Sequence, residues 1–174
     1  MMILIILTRP NHDLYYMITA TDKSAFKARM LEACIQKQES LIEDFKTRMH
    51  ALLENGPLGN EEEYDNSIRA QNIQSSNEVD TLNAALTFAR QEMDILLRLR
   101  TDINRPYTRV AQGSVVVTDK SVFFVSVSIE QFEVDGETFI GLSEKSPLMQ
   151  AMKGKAKGEQ FTCQGITYRI TDIF

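Results

Sequence analysis

One boundary constrains this chain more than any other feature: at Arg105-Pro106 the spacing of apolar residues changes from helical to alternating. Ahead of it, Phe26, Met30, Cys34, Leu41, Phe45, Met49 and Leu52 recur at intervals of three, four or seven, which places them on one helix face. Lys37, Gln38, Glu39, Glu43, Asp44 and Lys46 fall between them and read as the solvated side. The pattern predicts a helix over 22–54, stopped by Asn55-Gly56-Pro57, because glycine suits the residue after a helix and proline cannot continue its ladder. A second helix is expected from Asn60, which can cap it while Glu63, three residues on, completes the box. Val79, Leu82, Leu86, Ala89, Met93 and Leu96 then alternate steps of three and four, a heptad seam. Two long helices joined by a few turn residues form an antiparallel coiled-coil hairpin, whose arms at 1.5 Å per residue would be roughly 50 Å long.

Beyond Arg105-Pro106 the period is two. Ser114-Val115-Val116-Val117 and Phe123 to Ile129 read as strands, Asp135-Gly136 as a hairpin turn and Thr138 to Leu142 as a third strand. Ser146-Pro147 starts a short helix, with serine as cap and proline at the first helical position, and Gly154 ends it. Phe161-Thr162-Cys163, the turn Gln164-Gly165 and Ile166 to Phe174 make a last hairpin. The fold class expected is α+β, an N-terminal helical hairpin over 17–104 followed by a small antiparallel β domain over 105–174. Residues 1–16 read as an N-terminal extension; Met17 stands just ahead of the first helical pattern and is the expected natural start.

Charge divides along the same boundary. The net charge is −5, and all of it lies between Asp22 and Asp102, with 15 acids against 10 bases, while Arg105 to Asp172 carries 8 of each. From Glu54 to Asp80 seven acids face Arg69 alone. A nucleic-acid clamp needs a continuous basic face, so direct sequence-specific binding of nucleic acid is not expected. The apolar run Met1 to Leu7 is far short of the roughly 18 residues that span a bilayer, so no membrane association is expected. Cys34 and Cys163 form no CxxC pair, which removes disulfide, zinc-ribbon and iron–sulfur frameworks and points to a reducing cytoplasm.

Little in the chain can do chemistry unaided. His12 and His50 have no partner at ligand spacing, Cys34 and Cys163 read as packing residues, and no Ser-His-Asp set can be assembled. Lys153-Gly154-Lys155-Ala156-Lys157-Gly158 lacks the order of a phosphate loop and reads as a turn with solvated lysines. What remains is the turn between the helices, where Glu61, Glu62, Glu63 and Asp65 crowd carboxylates together. Such oxygens suit a hard cation such as Mg²⁺, which prefers ligands from several sources. No metal site of the chain's own is expected, and any chemistry at the tip would be shared with a partner's active site.

The stretch Ser146-Pro147-Leu148-Met149-Gln150-Ala151-Met152-Lys153-Gly154-Lys155-Ala156-Lys157-Gly158-Glu159 resembles the S-P-[IL]-x-x-A-[LM]-x-G-K-x-x-G-[DE] signature of the bacterial transcript-cleavage factors GreA and GreB. Leu58, Glu63 and Tyr64 match that family's D-L-x-E-N-x-E-Y tip loop, and the similarity covers about residues 22 to 174. The resemblance implies an FKBP-like second domain and a partner, RNA polymerase, whose secondary channel the hairpin enters. It implies docking through the region of Ser146, Pro147, Gly154 and Lys155, and a monomeric, cytoplasmic factor. It also implies a Mg²⁺ shared with the polymerase, approached by Glu61, Glu62, Glu63 and Asp65. The family's two key acids are replaced here by Pro57 and Asn60, neither an anionic ligand. The expected function is therefore modulation of elongation or of backtracked complexes, by stimulated cleavage or by channel occupation without it. Two alternatives stand beside it: a coiled-coil protein that self-associates through Val79, Leu82, Leu86 and Met93, and an FKBP-type prolyl isomerase.

Overall fold

A computed structural model describes residues 20–55, 66–129 and 131–174. Two 36-residue helices open the chain, α1 (Ala20–Asn55) and α2 (Asn66–Thr101). Both are rich in alanine, leucine, glutamate, glutamine and arginine, which lose little freedom in a helix, and Arg98 and Arg100 place positive charge in the last turn of α2, where the helix dipole favours it. The expected start of the second helix at Asn60, with its Glu63 box, lies outside the described residues, as do residues 1–16.

The seam of α2 follows the expectation: Leu86, Ala89 and Leu96 are buried, and Val79, Leu82 and Met93 are half-buried. On α1 the expectation needs one correction. Phe26, Met30 and Cys34 are buried, but the next position is Gln38, at 3% exposure, while Leu41 is 40% exposed. The stripe advances in steps of four from Phe26, and the third step lands on Gln38, so geometry rather than side-chain polarity decides which residue is enclosed.

A β domain follows, with strands β1 (Val115–Thr118), β2 (Val122–Ser126), β3 (Phe132–Val134), β4 (Glu137–Ser143), β5 (Gln160–Cys163) and β6 (Ile166–Ile173), and the short helix α3 (Pro147–Met152) between β4 and β5. The spatial order is β3-β4-β2-β1-β6-β5. The sheet is mostly antiparallel, but β2 and β4 run parallel, with Phe123 opposite Ile140 and Val125 opposite Leu142. This corrects the expectation of a wholly antiparallel sheet with one strand over Phe123 to Ile129. The Asp135-Gly136 turn, with φ of 55° and 79°, joins β4 to the additional strand β3, so β4 returns beside β2 in the same direction. Every residue of β2 is buried, as a central strand paired in parallel requires. The chain after β2 crosses directly over Gly141, where an added Cβ would lie 2.9 Å from the Ile129 Cβ and 3.0 Å from the Val127 carbonyl oxygen.

Contacts divide the chain into two units: the described residues through Ile35 together with Ile95–Phe174, and Gln36–Asp94. Within the first, one face of the sheet packs Phe123, Val125 and Ile170 against Met149 and Met152 of α3. Tyr168 stacks on Phe161 with centroids 5.0 Å apart and meets Phe123 edge-on at 6.0 Å. Phe139 is fully buried and receives Phe26 of α1 edge-on at 5.2 Å. The beginning of the first helix is thus part of the β domain's own core.

Candidate functional site

The expected tip residues Pro57, Asn60, Glu61, Glu62, Glu63 and Asp65 lie outside the described residues. The expected docking residues are described, and the structure brings all four to the ends of α3. The Ser146 hydroxyl accepts the Met149 N–H at 3.1 Å as the helix cap, and Pro147 occupies the first turn, exposed. Gly154, at φ 74°, donates its N–H to the Val110 carbonyl at 2.9 Å, and Val110 donates back to the Lys155 carbonyl at 2.8 Å. The Arg109 guanidinium donates to the Gly154 carbonyl at 2.9 Å, and Glu159 accepts the Ala156 N–H at 2.6 Å. Backbone groups of the loop are consumed in holding it to the strand side of the domain. Lys153 and Lys157 are exposed and Lys155 is half-buried; among the described residues Lys153 lies 4.0 Å from Glu144 and Lys157 3.3 Å from Asp172. The product is a fixed loop with lysines at alternate positions, Lys153 and Lys157 solvated as the turn implied and Lys155 half-buried.

A second cluster, which reasoning from the sequence missed, joins the start of α1 to the β domain. Lys23 forms an ion pair with Asp172 of β6 and lies 5.3 Å from the centre of the Phe174 ring. Arg29 pairs with Asp135 in the β3–β4 turn at 2.7 Å, and farther along α1 Glu32 pairs with Arg100 of α2 at 3.4 Å. Asp172 is available because β6 carries a bulge: Val117 pairs with Asp172 but Thr118 with Ile170, so Thr171 is the extra residue. Without it Asp172 would keep the inward phase of Tyr168 and Ile170; with it Ile173 is buried instead and Asp172 turns toward Lys23 and Lys157. Burial pushes the Asp172 carboxyl up, but hydrogen bonds and charge from Lys23 and Lys157 outweigh it and hold the group below its ordinary value.

Between these pairs lies Lys27, 3% exposed, whose Nζ makes no hydrogen bond among the described residues and rests 4.3 Å from the centre of the Tyr107 ring. Burial, and secondarily the charge of Arg105, lowers its pKa from 10.5 to about 8. The signal available in sequence was position: Lys27 falls one step of four before Leu31, which is also buried.

Cys34 is buried and Cys163 partly so, neither in a disulfide, and His50 lies 3.1 Å from Glu54 on an exposed helical surface. Among the described residues no cluster of three or more His, Cys, Asp or Glu side chains could hold a metal, and no helix is long and apolar enough to cross a membrane.

No protein-family model matches the chain, and no curated protein matches it. Among solved structures the chain is similar to that of the transcription factor Gfh1, at 13% identity over 85% of this chain and 93% of that one, with a TM-score of 0.30.

Proposed function

We propose that this chain is a Gre-like factor that binds RNA polymerase through its secondary channel and modulates elongation or the rescue of backtracked complexes. The observation that carries the reading is the Ser146 to Glu159 signature, which caps α3 and holds the lysine loop on a sheet that also anchors the start of a long helix. In this reading Pro147, Gly154 and the side chain of Lys155 face the polymerase, with Ser146 setting the helix start, and the hairpin is inserted. The lysines of the loop suit an acidic surface on the partner.

The tip carries Glu61, Glu62, Glu63 and Asp65, four carboxylates within five residues. Oxygen donors of that kind fit a Mg²⁺ held jointly with the polymerase, whose own hydrolytic chemistry the ion would supply. Pro57 and Asn60 contribute no anion, so the displaced carboxylates decide between a cleavage factor and a regulator that occupies the channel. The acidity of the hairpin steers it toward a basic channel, an effect that weakens with salt. The factor works as a monomer in the cytoplasm, where its partner is found.

The test is a backtracked elongation complex with labelled RNA, polymerase, Mg²⁺ and this protein. Short 3′ fragments that disappear in E61Q/E62Q/E63Q identify a cleavage factor. Slower elongation or slower intrinsic cleavage without fragments identifies a channel-occupying regulator. If polymerase neither binds the chain nor changes its rates, the reading fails.

A further inference from the structure

Two polar side chains are enclosed in the seam of the hairpin, Gln38 of α1 at 3% exposure and Glu92 of α2 at 6%. Their geometry is specific. The Gln38 amide nitrogen donates to the Ala89 carbonyl at 3.0 Å and to the Glu92 carboxylate at 3.3 Å, so both of its N–H groups are used. Ala89, 1% exposed, presents only a methyl group at this point of the seam. A buried amide without acceptors is costly, so Gln38 is tolerated in the seam where Ala89 and Glu92 supply them.

The heptad repeat offers the alternatives against which this matters. Seven residues either side of Ala89 stand Leu82 and Leu96; seven either side of Gln38 stand Leu31 and Phe45; seven either side of Glu92 stand Ala85 and Leu99. Every heptad-equivalent position is apolar. A slip of one heptad, about 10 Å along the helices, would therefore set Gln38 beside Leu82 and Ala85 or beside Leu96 and Leu99, and Glu92 against Leu31 or Phe45. Pairing of α2 with a second α2 would leave Glu92 in a seam of Leu82, Leu86 and Leu96 that supplies no amide. The apolar seam alone does not distinguish these arrangements, because apolar side chains pack on one another in each.

We infer that Gln38, Ala89 and Glu92 are the pairing determinant of the hairpin: they select an α2 segment as the partner of α1 and fix its register. The inference is independent of what the hairpin binds. It accounts for a polar residue placed where the stripe calls for an apolar one.

The test compares the full chain with its Q38L/E92L variant. Spin labels are attached to cysteines at the exposed positions 39 and 90, with Cys34→Val and Cys163→Ser in both proteins, and mass is measured by light scattering. Wild type is expected to give one narrow distance and a monomer mass. In Q38L/E92L the single distance is lost, replaced by two or more populations or by a dimer mass, while helical content is retained. A single distance as narrow as wild type with a monomer mass in Q38L/E92L would overturn the inference. So would loss of helical content in that variant, since the pair would then be needed for folding as such, and so would several distances in wild type.

Discussion

The ammonium of Lys27 lies 4.3 Å from the centre of the Tyr107 ring and has no hydrogen-bonding partner among the described residues. The ring's negative face is the compensation for its burial, and it is partial, since the pKa falls to about 8. Between pH 8 and 10.5 the folded chain holds fewer protons at this site than the unfolded one, so stability rises with pH across that window. At 1.36 kcal/mol per pKa unit the full gain is about 3 kcal/mol, an order of magnitude. Burial first, with Asp102 adding and Arg105 opposing, pushes the Tyr107 hydroxyl up, so its ionisation takes stability away again above its ordinary value of 10.0. Urea unfolding from pH 7 to 10 should show the rise in wild type and a flat, higher curve in Lys27→Met. A Lys27→Met chain less stable than wild type at pH 7 would show that the ring interaction outweighs burial.

Gly113 lies beneath the same ring. A Cβ there would stand 2.4 Å from the Tyr107 hydroxyl oxygen and 2.9 Å from Leu99 Cδ2, and φ is 88°, a region that disfavours side chains. Gly113→Ala should lower stability by about 2 kcal/mol, part from strain and part from displacement of the ring. Because the hydroxyl is the closest atom, Tyr107→Phe in the same chain should recover part of the loss, and the double-mutant cycle measures how much. Strict additivity would mean that the hydroxyl contributes nothing and that backbone strain and the Leu99 contact account for the effect.

The features legible in the sequence were those with a local cause. A helix over 22–54 was expected and α1 is Ala20–Asn55; the Asp135-Gly136 turn and the Ser146 cap stand where their chemistry puts them. The features that were not legible depend on a partner distant in the chain. Gln38 reads as solvated until Ala89 and Glu92 supply its acceptors; the parallel pairing of β2 with β4 depends on the separate strand β3; Asp172 faces Lys23 only because Thr171 is an extra residue. Of the candidate site, the signature around α3 was legible and its geometry follows from capping. The anchoring of α1 by Asp172, Tyr107 and Asp135 was not, because charges on a helix face look the same whether solvated or paired.

Asp172 gives a pH dependence of the opposite kind to that of Lys27. With its carboxyl held below the ordinary value of 3.8, its contribution is present above that pH and lost as pH falls through the folded value. Ion pairs at this degree of exposure are each worth about 0–1 kcal/mol, so with Lys23 and Lys157 both engaged Asp172→Asn should cost about 1 kcal/mol at pH 7. The difference between wild type and Asp172→Asn should shrink with added salt and below pH 3.8. Equal costs in low and high salt would mean that the carboxylate acts through packing rather than charge.

Of the residues around α3, Ser146 holds the fold through its hydroxyl and Lys155 through its backbone, and substitution distinguishes these roles. Ser146 acts through its hydroxyl as a cap, so Ser146→Ala should lower stability by about 1 kcal/mol. Lys155 acts in the fold only through its backbone, whose carbonyl receives the Val110 N–H and whose own N–H reaches the Met152 carbonyl at 3.1 Å. Lys155→Glu leaves both of these bonds in place and should therefore cost less stability than Ser146→Ala. If the loop is the docking surface of a polymerase-binding factor, the same reversal should weaken that binding at least tenfold at low salt, about 1.4 kcal/mol, and less as salt rises. Calorimetric melting measures the first quantity and a polymerase pull-down titrated with KCl the second. Unchanged binding in Lys155→Glu, with Ser146→Ala affecting stability alone, would assign this region to maintenance of the β domain and move the docking surface elsewhere.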